Sequence, residues 1–427
     1  MDHFQYHDHV LYCEAVPVRL LAETYGTPLW VYSKKTLLHH VHVLQRAFAS
    51  ADPLICYSLK TNGNLSIARL MREAGTGFDV TSGGELYRAL LAGGTGDRIV
   101  FAGVGKTDEE MRYGIEAGVL MFNVESEGEL DALAAVAETL GKKVAIALRV
   151  NPDVDPHTHV KTTTGKRGTK FGLDWDRIRS IGQKLVGHPW ISLQGLHMHL
   201  GSPIYTTEPY RQALDRAVPL IAQLRQMGHT IRYLNTGGGF GINYRKQEAL
   251  PAEAFAEVIL PAVRMTGCQL ILEPGRFIVG NAGILVSRVL YTKDSGGRHF
   301  VIQDAAMTDL IRPTLYEAFH RIWPVEPSPD VPAPPEDYEA PIPNTQLCDV
   351  VGAVCESGDY LARDRYLPRL KRGDLLATFS AGAYGIAMSS NYNGRLRAAE
   401  VLVDGHHHRL IRRRDTYEDL VRQEIEI

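Results

Sequence analysis

The sequence predicts an α/β protein: a (β/α)8 barrel followed by a β-rich C-terminal domain that also takes in the N-terminal segment. Three observations predict it. Eight short apolar runs alternate with helical stretches across residues 36–281, about 245 residues and the size of such a barrel. No G-x-G-x-x-G follows the first run, which disfavours an open doubly wound sheet. After residue 281 the helical period gives way to β-rich runs broken by glycine and acidic turns.

In chain order the barrel strands are expected at "PLICYSLK", "GFDVTS", "RIVFAG", "VLMFNVES", "VAIALRVNP", "SLQGLHMHLG", "IRYLNTGGG" and "QLILEPGR". Branched and aromatic residues without alternation mark them as strands buried on both faces. Helical periodicity fills the intervals, as in "KTLLHHVHVLQRAF", "EGELDALAAVAETLG" and "AEAFAEVILPAVRMTG". Several of these stretches end on glycine, the usual residue for a left-handed C-terminal turn. The expected domains are therefore 36–281 for the barrel and 1–35 with 282–427 for the β-rich part. In the latter, "HVLYCEA" and "TPLWVYS" supply N-terminal strands around a short helix, and "GILVSRVLYTKD", "RHFVIQDAA", "LCDVVGAVCESGD", "DLLATFSAG" and "AAEVLVDGHHHRLIRR" supply the rest. The proline-rich stretch 326–346 reads as an extended, exposed loop.

Composition narrows the function. A net charge of −3 with 22% charged residues gives no global basic field, so no nucleic-acid partner is expected. Arg409, Arg412, Arg413 and Arg414 read as a solvated strand edge. No apolar run reaches the length of a membrane span, and the polar N-terminus does not resemble a secretory signal. Five scattered cysteines without a C-x-x-C spacing suit a reducing cytoplasm rather than a zinc cluster or disulfide framework.

The ends of the barrel strands carry the chemistry. A lysine closing a strand, as Lys60 does in "ICYSLKTNGN", ordinarily snorkels to water. Here the other strands also end on polar, reactive groups: Asp79, Glu125, Arg149, His199, the triplet Gly237-Gly238-Gly239, and Glu273 with Arg276. Barrel strands deliver such ends to one face, where active sites are built. Glycines after the seventh strand suit phosphate, although a tight turn would use them too. His197 and His199 could be imagined as metal ligands, but no third ligand has suitable spacing. His199 better suits a ring lying flat on a cofactor, and His197 a hydrogen-bonded core position. Lysine, glycine loop and last-strand carboxylate together point to pyridoxal 5'-phosphate, which needs an amine for its Schiff base and an acid to keep its pyridine nitrogen protonated. A plain Glu273–Arg276 ion pair is the structural alternative.

Longer motifs in fixed order, "CYSLKTNGN", "GFDVTSGGEL", "HMHLGS", "NTGGGFG", "EPGR", "MTDLIRPTLYEAFH", "CESGD" and "AGAYGIAMSSNYN", give a whole-chain likeness. The chain resembles the diaminopimelate decarboxylase family, in the alanine-racemase-like (fold type III) group of pyridoxal-phosphate enzymes. The resemblance implies that Lys60 bonds covalently to the cofactor, His199 stacks on its ring and Glu273 pairs with its pyridine nitrogen. It places Ser202, Gly237, Gly238, Gly239, Gly275 and Arg276 around the phosphate and substrate. It implies that Arg276, Arg312 and Tyr316 hold the carboxylate that is not lost, that Glu356 binds the distal ammonium, and that Tyr384 contacts both cofactor and substrate. Cys355 becomes the proton donor at the α-carbon, and "CESGD" comes from the neighbouring subunit of a homodimer. The implied reaction turns meso-2,6-diaminopimelate into L-lysine and carbon dioxide, the last step of lysine biosynthesis.

Thr61 and Thr236 depart from the family pattern, where apolar residues are common, and the proline-rich segment is longer than usual. Related alternatives are a fold type III decarboxylase for another amino acid with a distal anionic group, or an amino-acid racemase. A racemase needs a second base on the opposite ring face, and a non-catalytic cofactor carrier would need neither Cys355 nor Arg312.

Overall fold

The computed structural model describes residues 3–154, 170–245, 249–331 and 341–425. The chain divides into two compact units: Met1–His39, Ile242–Glu248 and Ile278–Ile427 form one, and His40–Gly241 with Ala249–Phe277 form the other.

The second unit is a closed, all-parallel barrel. Its strands are β1 (Leu54–Ser58), β2 (Gly77–Val80), β3 (Ile99–Phe101), β4 (Met121–Val124), β5 (Val144–Val150), β6 (Ile191–Met198), β7 (Tyr233–Asn235) and β8 (Gln269–Leu272). Closure is made by β8 pairing with β1, Ile271 opposite Leu54 and Leu272 opposite Ile55. Buried side chains from five strands pack together: Leu54, Cys56, Val100, Met121, Ala147 and Ile271 form one contiguous cluster. Each large apolar side chain so buried contributes about 1.5–3 kcal/mol, which makes the barrel a rigid platform for its upper loops.

Those loops start helices in a defined way. The Ser82 hydroxyl caps Gly83–Leu91 by accepting from Glu85 N, and the Ser126 hydroxyl caps Glu127–Leu140 by accepting from Glu129 N. Thr107 and Glu110 form a reciprocal capping box before Asp108–Glu116. The expected glycine stops appear at Gly141 and Gly267, both left-handed with φ near +60°.

The first unit holds a nine-stranded sheet. The N-terminal strand Leu29–Ser33 lies inside it, antiparallel to Gly283–Ser295 and parallel to Ala399–Asp404. The barrel and the β-rich sheet that recruits the N-terminus are as the sequence predicts. Among the strands that escaped the sequence reading are Phe4–His7, Ile322–Pro324 and Tyr360–Pro368. The basic run follows and ends the edge strand His407–Arg412, with Arg412 on Asp415 at 2.7 Å and Arg413 on Asp419. Part of the proline-rich loop, residues 332–340, lies outside the described residues.

Candidate active site

In the barrel unit Lys60 sits in the single 3-10 turn Leu59–Thr61 directly after β1. That turn is braced: Tyr57 Oη donates to Asn62 O at 2.9 Å, and the Thr61 hydroxyl donates to Ser58 O at 2.7 Å. Asn64 then caps the next helix by accepting from Ser66 N at 2.9 Å. Lys60 Nζ meets Asp79 Oδ2 at 2.7 Å, with the lysine side chain 35% exposed and the aspartate fully buried. Asp79 also accepts from the Ser58 hydroxyl. Burial pushes the Asp79 carboxyl up, and Lys60 opposes that shift without cancelling it.

Glu273, just past β8, is held from three directions. Asn123 Nδ2 and Asn235 Nδ2 donate to Oε1 at 3.1 and 2.6 Å, and His197 Nε2 lies 3.2 Å from Oε2. Burial alone would raise its pKa, but His197, Lys60 and the Asn235 hydrogen bond outweigh it and hold the carboxyl well below the ordinary range. His199 is neutral, because burial, then Arg149 and Lys60, push its pKa well down. Its Nδ1 accepts from Gly238 N at 3.3 Å, so the ring proton sits on Nε2. Arg149 Nη1 pairs instead with Glu125 at 2.9 Å. His197 faces the buried carboxylate, and His199 packs on the glycine loop.

That loop tolerates no side chain at its centre. Gly237 and Gly239 have φ of +68° and +109°, and a Cβ on Gly238 would lie 2.1 Å from the Glu273 carbonyl oxygen. A Cβ on Gly275 would meet Thr61 Cγ2 at 2.3 Å, so the unusual threonine fills space that a glycine leaves. Arg276 Nε donates to the Ser202 hydroxyl at 3.0 Å, bringing those two residues together. Gly238→Ala should therefore cost about 3 kcal/mol of stability and lower bound cofactor per chain; a wild-type melting temperature with full cofactor content would contradict this packing.

The β-rich unit holds the remaining candidates. Arg312 opens the short helix Arg312–Tyr316 and is buried. Its guanidinium lies 4.9 Å from the Tyr244 ring centroid and 2.8 Å from His320 Nε2. Cys355, the one exposed cysteine of five, is anchored through its backbone N–H to Asn393 Oδ1 at 2.8 Å. Glu356 accepts from Tyr392 Oη at 2.6 Å. Asp359 of the same motif accepts from Met307 N and Val354 N, each at 2.7 Å, and so ties the loop before Arg312 to the loop carrying Cys355. Tyr384 has φ of +56°, a conformation rare for a bulky residue and concentrated at functional sites.

Asn123, Asn235, His320, Tyr392 and Asn393 were not singled out from the sequence. For Asn123 a signal existed: it is a polar residue inside an otherwise apolar run.

Residues 34–280 match the family described as pyridoxal-dependent decarboxylase, pyridoxal binding domain. A diaminopimelate decarboxylase from Aquifex aeolicus is 44% identical over 426 residues, covering 100% of this chain and 98% of the relative. The chain belongs to the diaminopimelate decarboxylase family. Solved diaminopimelate decarboxylases agree in fold. The M. jannaschii enzyme, in co-complex with L-lysine, superposes with a TM-score of 0.91 at 34% identity, covering 100% of this chain and 98% of that one. The Helicobacter pylori enzyme complexed with L-lysine gives 0.89 at 36% identity, with 95% and 99% covered.

The barrel residues fit the cofactor of this pyridoxal-dependent family, pyridoxal phosphate. Lys60 offers a primary amine. Glu273 accepts from two amide N–H groups and lies against His197, and its carboxyl is held well below the ordinary range, which suits a protonated pyridine nitrogen. Among the described residues the Gly239 N–H donates to no backbone acceptor, so it is available to an anionic group.

Proposed function

We propose that this protein decarboxylates meso-2,6-diaminopimelate to L-lysine and carbon dioxide with pyridoxal phosphate. The observation that carries this reading is the coexistence of two features: an amine and a forced carboxylate anion at the barrel strand ends, and a buried arginine in the family's substrate motif. When bound, pyridoxal phosphate supplies an electron sink for the bond that breaks at the substrate's α-carbon.

The chain's own groups do the rest. Lys60 would hold the cofactor through its side-chain amine, the group that the substrate's own amine would replace. Glu273, kept ionised by His197, Asn123 and Asn235, stabilises the protonated ring nitrogen. Neutral His199 offers an uncharged face to the ring, and Ser202, Gly237, Gly238, Gly239, Gly275 and Arg276 surround the phosphate. Arg276, Arg312 and Tyr316 hold the distal carboxylate, and Glu356, steadied by Tyr392, holds the distal ammonium. Tyr384 contacts both cofactor and substrate. The bond from the α-carbon to its carboxylate breaks, carbon dioxide leaves, and the Cys355 thiol gives its proton to the α-carbon. Decarboxylases for ornithine or arginine bind only a distal cation, and a buried Arg312 would repel it.

Cys355 and Glu356 are exposed in the single chain, which supports their serving the site of a second copy in a homodimer. The free thiols fit the cytoplasm. Among the described residues no helix is long and apolar enough to cross a membrane.

Mixing inactive Lys60→Ala with inactive Cys355→Ala protein should restore about a quarter of wild-type activity under subunit exchange. Half of randomly reassorted dimers are mixed, and each mixed dimer has one intact site and one doubly damaged site. No recovery after demonstrated exchange would rule out the shared site.

A further inference from the structure

The geometry points to His320 as a positioning residue that aims the Arg312 guanidinium and thereby sets selectivity for the substrate's distal carboxylate. The inference rests on the assignment of Arg312 to that carboxylate and goes beyond it.

Arg312 and His320 are both buried, at 6% and 0% exposure. They lie eight positions apart, and the chain reverses between them at Glu317, whose φ of +52° ends the helix. His320 Nδ1 lies 3.0 Å from the carbonyl oxygen of Phe379. A carbonyl only accepts, so Nδ1 carries the proton. Nε2 is then left with a lone pair, and it faces Arg312 Nη1 at 2.8 Å. A guanidinium only donates, so the two contacts select one neutral tautomer together.

Tyr244 completes the mount. Its ring lies over the guanidinium at 4.9 Å and meets the His320 ring edge-on, at 5.5 Å and 88°. One N–H of Arg312 is thus fixed in plane and one face is covered, which limits the directions in which the remaining donors can point. A carboxylate in place of His320 would also orient the arginine, but it would compete with the substrate's own carboxylate for the same charge. A neutral imidazole orients the cation and leaves its charge in place. Phe379 follows the strand Leu375–Thr378, which pairs with Ile322–Pro324 just beyond His320. The mount is therefore bolted to the sheet rather than to a loop.

The test compares two substitutions in the holoenzyme. His320→Gln keeps an oxygen near the position of Nε2, able to accept from Arg312. His320→Asn keeps a donor for the Phe379 carbonyl but cannot reach Arg312. Two ligands read the outcome: L-lysine, whose carboxylate is the distal one, and 1,5-diaminopentane, which has none. His320→Asn should weaken L-lysine inhibition and raise KM for diaminopimelate by about tenfold. Inhibition by 1,5-diaminopentane and the visible absorbance band should stay unchanged, and His320→Gln should recover most of the loss. Equal values for the two variants, or equal losses for both ligands, would overturn the proposal. Arg312→Met separates the two levels. If it shifts L-lysine selectively and His320→Asn does not, only the positioning role fails; if it shifts neither ligand, the Arg312 assignment fails and the proposal falls with it.

Discussion

Lys60→Ala protein should show a loss of diaminopimelate decarboxylation on the order of 10⁴-fold or more. In the proposed mechanism the amine at residue 60 would both tether the cofactor and free the product, so its removal would stop the cycle at two points. Another lysine on the barrel loops is Lys106, and its surroundings disqualify it. Lys106 Nζ is fully buried and tied to Gly103 O, Asn123 O and Glu129 Oε1 at 2.8, 2.9 and 2.6 Å. Lys60, by contrast, is partly exposed beside the buried Asp79. Wild-type protein should carry a visible or near-ultraviolet band that borohydride bleaches, leaving the label on the peptide containing Lys60. A label on the Lys106 peptide, or full turnover by Lys60→Ala, would refute the assignment.

Arg312→Met should lower kcat/KM for diaminopimelate by about 30- to 1,000-fold, the equivalent of roughly 2–4 kcal/mol for a lost charge-assisted contact. The guanidinium presents a planar fork that can bind a carboxylate through two parallel hydrogen bonds. Methionine preserves the length and apolar stem but removes every donor, so packing changes little while recognition is lost. The cofactor band should remain, because Arg312 belongs to the β-rich unit and the cofactor groups Lys60 and Glu273 to the barrel. Retained diaminopimelate activity would make Arg312 structural and leave the substrate unassigned among anion-ended amino acids.

The barrel was legible because each strand is buried on both faces and therefore reads as an unbroken apolar run, with a helix of clear period behind it. Polar residues at or near the ends of seven of the eight runs pointed to one face of the barrel, because an apolar run makes a charged or hydrogen-bonding group at its end stand out. The β-rich unit was harder. Tyr360–Pro368 sets the exposed Arg363 and Asp364 between the buried pairs Leu361–Ala362 and Leu367–Pro368, and Ile322–Pro324 is only three residues long, so neither gives a sustained pattern. The supporting residues were hidden for a different cause. Asn123 and Asn235 matter only because the closed barrel turns both toward Glu273, and His320 only because a left-handed residue folds the chain back on Arg312. Those are facts of register and turn geometry, which spacing alone does not encode.

The most direct measurement supplies the holoenzyme with meso-diaminopimelate and follows carbon dioxide and L-lysine together. The account predicts one lysine for each carbon dioxide released, with no carbon dioxide from lysine or ornithine under the same conditions. Release of carbon dioxide from ornithine or lysine but none from diaminopimelate would contradict it, as would conversion of diaminopimelate to a stereoisomer without loss of carbon.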